Sequence, residues 1–338
     1  MATGKNIFVL MASLLLAVGL SGCTNPLTSG TQYKNDAVSI EEYYVSNTNP
    51  YAGSVTTISF LLQNNGEEPV PRVEVNFFDV YGMEVLELKC QGTQPVAGKN
   101  ACIFDSTNSF GEIEPMDVRM VSITLKAPAA EEIKTSTKFT VGYYVNYSYS
   151  GFRKADIPII DAVTLMEPNA EFSESTSTPG PIELTFDPPV GGTRIVEGKT
   201  ISEYWGVQDR PFEVKMTFDY ASGLTTEKSR DVIIKQGDIM LELKGPIERA
   251  HTDAGLLYCE FCKPGEEGCP ATESSDCTSS NCLYSEKLIK IPSTLRCSFQ
   301  SSGTNLPAEI TASIWTSFSY TYEFTGTETF TVKPIPED

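Results

Sequence analysis

Along most of the chain, apolar and polar residues alternate with a period of two. Phe212, Val214, Met216, Phe218 and Tyr220 alternate with Glu213, Lys215, Thr217 and Asp219. Such a segment is a strand with one buried and one wetted face. Ile182, Leu184 and Phe186 alternate in the same way with Glu183 and Thr185. In the first half Ile58, Phe60 and Leu62 lead into the turn Asn64-Asn65-Gly66, after which come Val73, Val75, Phe77 and the pair Tyr81-Gly82. No amphipathic helix is legible beyond the N-terminal segment. Strands at short spacing, punctuated by Gly, Asn and Pro, predict an all-β fold of antiparallel sandwiches.

The halves echo each other, which predicts a duplicated module. Gly82-Met-Glu-Val-Leu-Glu-Leu-Lys89 matches Gly237-Asp-Ile-Met-Leu-Glu-Leu-Lys244 at five of eight positions. In each half a loop then returns at a cysteine, Cys102-Ile-Phe-Asp-Ser106 and Cys297-Ser-Phe-Gln-Ser301. Near each end stand spaced tyrosines, Tyr147-Ser-Tyr149 and Tyr320-Thr-Tyr322, each followed by a last strand, Ala155 to Ile160 and Glu328 to Val332. The expected organisation is a first immunoglobulin-like sandwich at 37–161, a linker at 162–180 and a second sandwich at 181–338 carrying a cysteine-rich insert at 245–297. The first half, with its strand, N-x-G turn and V-x-V-x-F strand, resembles the CARDB-type modules of bacterial and archaeal surface proteins. That resemblance implies a role in display, adhesion or scaffolding.

The N-terminus is an address. Lys5 precedes an apolar run from Ile7 to Leu20, 14 residues interrupted only by Ser13 and Gly19. This is short for a membrane span, which needs roughly 20 residues, and suits a secretory signal. Leu20-Ser21-Gly22-Cys23 resembles the lipobox of prokaryotic lipoproteins. The resemblance implies removal of residues 1–22, a diacylglyceryl group on Cys23 and a lasting membrane anchor. Residues 23–36, mostly polar, then read as a lipid-proximal tether.

Charge narrows the partners. The chain holds 25 Lys and Arg against 44 Asp and Glu, a net charge of -19. Loss of the segment with Lys5 leaves 24 against 44, or -20, on the mature chain. Nucleic acid and anionic headgroups would be repelled, which leaves the lipid anchor and an unidentified protein or glycan at the cell surface.

With Cys23 set aside, eight of the nine cysteines remain, an even number that suits a disulfide framework in an oxidising compartment. Cys90 and Cys102 flank one loop of the first half and are expected to pair. Cys259, Cys262, Cys269, Cys277, Cys282 and Cys297 lie in the insert, rich in Gly, Ser, Pro and Glu, which needs staples in place of a core. If the repeat aligns Cys297 with Cys102, its partner is Cys259 or Cys262. Cys259-Glu-Phe-Cys262 could also serve redox chemistry or a zinc site, but Lys263-Pro264-Gly265 makes a turn where a redox pair needs a helix. Glu260 and Glu266 disfavour thiolates there.

Other chemistry is thin. His251, the one histidine, stands near Asp253, yet no nucleophile motif accompanies it. No D-x-D-x-D-G calcium loop occurs. Tyr143, Val145, Tyr147 and Tyr149, and Phe318, Tyr320, Tyr322 and Phe324, form aromatic rows expected in the core, with a stacking surface as the alternative. Asn146-Tyr-Ser148 is a glycosylation sequon on the opposite strand face. No catalytic residue, metal or cofactor is expected. The expected role is a non-catalytic, lipid-anchored surface protein whose contact region is the loops far from the tether, above all the insert. Alternatives are a subunit of a surface layer or filament, or a carbohydrate-active enzyme or accessory module, for which two opposed carboxylates in a cleft would be the sign.

Overall fold

The computed structural model describes residues 35–107, 111–163, 170–196, 199–224, 230–252, 255–256, 258–269 and 281–336. Its regular elements are all strands. The first seven of interest are β1 (Val38–Val45), β2 (Val55–Asn64), β3 (Arg72–Phe78), β4 (Glu84–Cys90), β5 (Ala101–Asp105), β6 (Val118–Lys126) and β7 (Thr137–Ile160). The second set is β8 (Ile182–Asp187), β9 (Phe212–Tyr220), β10 (Ile239–Lys244), β11 (Ile247–Arg249), β12 (Cys282–Ser285), β13 (Ser293–Ser301) and β14 (Glu309–Val332).

The two sets share one strand order. Sheet β1-β2-β6-β4 is matched by β8-β9-β13-β11, and the facing sheet β5-β3-β7 by β12-β10-β14. Each pair of sheets makes a sandwich whose inner residues are the alternating apolar ones. Ile58, Phe60 and Leu62 face Val73, Val75 and Phe77 in the first, and Val214, Met216 and Phe218 line the second, all essentially without exposed surface. At roughly 25 cal/mol per Å² of apolar area, such burial is the main driving force for the fold.

In both modules the order sets the expected landmarks at different places. The eight-residue match joins β4, an edge strand, to β10, the equivalent of β3. Cys102 lies in β5 but Cys297 in β13, the equivalent of β6. The topology repeats, while that particular sequence likeness is shared strand composition. The tyrosine-bearing strands β7 and β14 are true counterparts.

These two strands bind the molecule together. Each is 24 residues long, about 80 Å at roughly 3.3 Å per residue. They pair antiparallel from Thr137↔Val332 to Ile160↔Glu309, merging the two inner sheets into one of nine strands. The segments expected as separate last strands, 155–160 and 328–332, are continuations of β7 and β14. In immunoglobulin terms β1, β2 and β6 take positions A, B and E, and β3 and β7 take C and F. Position G beside F is filled by the far half of β14, and in the second module by the far half of β7. Phe330 and Val332 are buried in the first sandwich, where the Thr331 amide donates to the Thr48 carbonyl at 2.9 Å and Tyr43 donates to Glu328 at 3.1 Å. Ile157 and Ile159 are buried in the second, where Arg153 of the same strand donates to the Leu184 carbonyl. Boundaries at 37–161 and 181–338 divide the chain in sequence; in space each sandwich draws a strand from both stretches.

The crossing point is filled by four buried tyrosines. Tyr147 faces Tyr322 with ring centroids 5.6 Å apart, and Tyr149 faces Tyr320 at 6.2 Å. The Tyr149 hydroxyl donates to the Pro179 carbonyl at 2.8 Å. A Cβ on Gly180 would lie 2.7 Å from that tyrosine's ring, so only glycine fits there. The Asn64 turn closes the junction from the first module. Its side-chain amide donates to the carbonyls of Glu68 and Ile113, and its oxygen accepts from the Gly66 amide. Of the expected linker, residues 173–178 lie along β7, with Ser173–Glu174 paired to Ala155 and Asp156 and the Thr178 amide donating to Phe152. Residues 35–38 enter at the same junction: Asn35 donates to the Ser222 carbonyl at 2.5 Å, and the Asn65 amide to the Ala37 carbonyl at 2.7 Å.

Two outcomes follow from shared strands and buried phenols. Residues 24–165 and 166–338 expressed apart each lack a G strand. Each should give no cooperative thermal transition, while co-expression should yield a 1:1 complex by size-exclusion chromatography; two independently melting halves would contradict the exchange. Burial pushes the Tyr149 phenol up to about 12 and those of Tyr147 and Tyr320 well above their usual value. Unfolded tyrosines ionise near pH 10. The stability these groups contribute is full below that pH and is lost as pH rises towards the folded values. Alkaline titration should therefore show late tyrosinate absorbance appearing together with loss of β-sheet circular dichroism.

Candidate binding face: the cystine-clamped insert

After β11 the chain leaves the sandwich and returns to close its side. Residues 258–260 run antiparallel beside β13: the Ser298 amide donates to the Tyr258 carbonyl at 3.0 Å and the Glu260 amide to the Arg296 carbonyl at 3.1 Å. A disulfide from Cys259 to Cys297 ties the two strands. One residue later the segment changes sheets. Phe261–Cys262 pairs with β12, Phe261 opposite Ser285 and Cys262 opposite Tyr284. Residues 258–262 thus bridge both sheets of the second sandwich.

The next loop, Lys263-Pro-Gly-Glu-Glu-Gly268, is closed by a Cys262–Cys269 disulfide. In the first module Cys90 is bonded to Cys102. Cys282, the first residue of β12, is disulfide-bonded too, and Cys277 and Cys23 lie outside the described residues. In the chain-entropy picture the Cys259–Cys297 link, spanning 38 residues, is worth about 4 kcal/mol.

Beneath the loop lies Arg249, 2% exposed. A charge so buried is tolerated only when paired and hydrogen-bonded. Its Nη1 donates to the Phe261 carbonyl at 2.8 Å and its Nη2 reaches the Glu266 carboxylate at 2.5 Å. The other Glu266 oxygen accepts from the Lys263 amide at 2.9 Å. Glu260, nearly buried, accepts from the Arg296 amide at 2.8 Å and pairs with Lys287 at 2.5 Å. For both carboxyls burial is the largest single influence and pushes the pKa up, but the hydrogen bonds and nearby charges together, from Arg249 and Lys263 at Glu266 and from Lys287, the Arg296 amide and Tyr258 at Glu260, hold them below the usual range. Sequence reading missed Arg249. Its one signal is a charged residue in the alternating run Ile247-Glu-Arg249, at a position of the same parity as Ile247.

The remaining sequence candidates are scattered. His251 lies in a two-residue strand paired with Gly255–Leu256, and Asp253 is outside the described residues. The tyrosine and phenylalanine rows are core, apart from the half-buried Tyr143. Asn146 points to the outer face of the shared sheet, half-buried, and its amide donates to Glu323 at 3.2 Å. No group of three or more His, Cys, Asp or Glu that could hold a metal occurs among the described residues. A cleft of about 450 Å³ opens at the junction between Arg153, Ser177, Glu183 and Ser222. Arg153 is already engaged there by Glu174 at 3.1 Å and Glu183 at 3.7 Å.

No family model matches the chain, and no curated protein does. Among solved structures, a collagen adhesin from S. aureus aligns at 10% identity and TM-score 0.14, over 91% of each chain. A type II cohesin dyad from the adaptor scaffoldin of Acetivibrio cellulolyticus aligns at 10% identity and TM-score 0.18, over 85% of this chain and 87% of that one. A ligand-binding adhesin of Enterococcus faecalis aligns at 8% identity and TM-score 0.17, over 88% and 95%. At such TM-scores the alignments carry no argument about this protein.

Arg249→Met should cost on the order of 2 kcal/mol by removing charge-assisted hydrogen bonds, and limited proteolysis should then cut first within 258–269. Because Glu260 and Glu266 titrate below the ordinary 4.5, their contribution is full above that pH and is lost as pH falls through their folded values. Hydrogen exchange of 258–269, corrected for its intrinsic rate, should accelerate as pH falls below the ordinary carboxylate range before the β7–β14 ladder opens. Simultaneous opening of both would show that the clasp does not hold the loop.

Proposed function

We propose that this is a non-catalytic surface protein, anchored by a lipid on Cys23, that presents the cystine-clamped flank of its second sandwich to a partner outside the cell. The observation that carries the reading is the clamp itself. Two disulfides and a buried Arg249–Glu266 clasp fix a short segment across both sheets of a β frame. A loop held this firmly binds with little ordering cost, the usual advantage of a preorganised contact surface. The anchor rests on the tetrapeptide Leu20 to Cys23 and its register with the apolar run.

Two experiments test the two parts. Cys23→Ser should move the protein from the membrane fraction to the soluble extracytoplasmic fraction; retention in the membrane would remove the lipid anchor from the account. Cells displaying the full chain should adhere to isolated envelope material, and replacing 263–268 by Gly-Ser repeats should abolish adhesion while leaving the melting transition of the ladder in place. Undiminished adhesion would place the contact surface elsewhere.

A further inference from the structure

Beside the insert, the outer face of β9 and β13 carries an uncommon juxtaposition. Lys215 and Arg296 stand directly opposite each other across the two strands, both exposed. Opposed residues have Cβ atoms about 5 Å apart, and like charges in that position are destabilising. The chain has 44 acidic side chains against 25 basic ones, yet neither cation forms an ion pair within 4 Å among the described residues. Asp187 is the cross-strand neighbour of Lys215 on the far side, and Glu213 lies two positions along the strand, but neither closes on the ammonium.

The surroundings mix carboxylates with hydroxyl groups: Asp187 and Glu213 flank Lys215, and Glu260, already paired with Lys287, accepts from the Arg296 backbone amide. On one side of the cation pair lie Thr217 and Thr294, their hydroxyls 3.0 Å apart. On the other side lies Ser298, opposite Glu213. Tyr258, 56% exposed, holds its ring 5.8 Å from the Arg296 guanidinium. Because 258–260 is stapled to β13 by the Cys259–Cys297 disulfide, the ring is fixed relative to the cations. Two cations, a row of hydroxyls and an exposed aromatic ring match a sugar that carries a carboxylate. The guanidinium and ammonium take the anion, the hydroxyls exchange hydrogen bonds with the ring oxygens, and the tyrosine stacks on the apolar sugar face.

We infer that this face binds a single acidic sugar within an otherwise neutral glycan. The limit to one charge comes from the whole molecule. At physiological ionic strength charges are screened over about 8 Å, so the cation pair governs its own footprint, while an extended polyanion would meet the acidic surface beyond it. The inference names a ligand for the flank proposed above and rests on that reading.

The test uses residues 24–338, which omit the lipid-bearing Cys23, in oxidised form, with three probes in calorimetric titration. These are a trisaccharide bearing one glucuronate, its methyl ester, and heparin. The glucuronate trisaccharide should bind, the ester at least about tenfold more weakly, and heparin no better than the ester. Lys215→Gln combined with Arg296→Gln should weaken the acidic trisaccharide by about tenfold or more, with a melting temperature unchanged or raised because like-charge repulsion is removed. Absence of glucuronate binding, equal binding of the ester, tighter binding of heparin, or indifference to the double substitution each overturns the inference. Adhesion of the displayed chain separates the two ideas. If adhesion requires 263–268 but survives the double substitution, the acidic-sugar site is wrong and the binding flank stands; if adhesion is indifferent to both, the flank itself is wrong.

Discussion

The antiparallel pairing of β7 with β14 is the constraint on which the rest of the molecule depends. Ordinary strands run 3 to 10 residues, because twist accumulates and long flat edges invite aggregation. Here 24-residue strands are sustained by giving each half of each strand a different job. The near half of β7 is the F strand of its own sandwich and the far half is the G strand of the other. Three glycines punctuate the pair, Gly142, Gly151 and Gly326, each lying under an aromatic ring of its cross-strand partner: Phe78, Phe318 and Tyr143. A Cβ at any of these sites would fall within 2.4 Å of a ring atom. Glycine frees the backbone to coil, and the ring restores the packing that the missing side chain would have supplied.

This arrangement explains what could be read from the chain and what could not. Period-two alternation in Phe212 to Tyr220 or Ile58 to Leu62 reports directly on burial, since one face meets the core and the other meets water. Both segments are strands with that burial pattern. The exchange was illegible because Ser150-Gly151 and Thr325-Gly326 look like turns in isolation. What keeps the chain extended there is a partner 167 or more residues away, as at Gly151↔Phe318. The repeat was legible in the spaced tyrosines because those positions are pinned by mutual packing at the crossing. It was misplaced at Gly82 and Gly237 because Leu-Glu-Leu-Lys is what alternation and solubility favour in any strand with one wet face.

The insert shows the same division between local and non-local signals. Cysteine count and spacing pointed to staples, since a segment rich in Gly, Ser and Pro cannot bury a core. The residue that organises the loop, Arg249, gave no such sign. Its burial is created by the fold: Phe261 and Glu266 are drawn over it when 258–262 crosses from one sheet to the other. Replacing a residue of this kind by a similar charge would not restore the clasp, because two donors must reach a carbonyl and a carboxylate at once, a geometry that the planar guanidinium supplies and an ammonium does not.

Where the chain enters the fold bears on how any partner is met. The expectation that contact falls on loops far from the tether assumes a molecule standing on one end. Asn35 instead bonds to Ser222 at the junction, beside the tyrosine cluster and the segment along β7. Residue 35 thus meets the fold beside the middle of the β7–β14 ladder and not at one of its ends. The proposed contact surface is a flank. There β13, residues 258–262 and β12 lie side by side, linking the two sheets of the second sandwich. Its backbone is held at intervals by the Cys259–Cys297 and Cys262–Cys269 bonds. The β7–β14 ladder, continuous over 24 residues, joins that flank's module to the one residue 35 enters, so the two modules are held by paired backbone and not by a free linker.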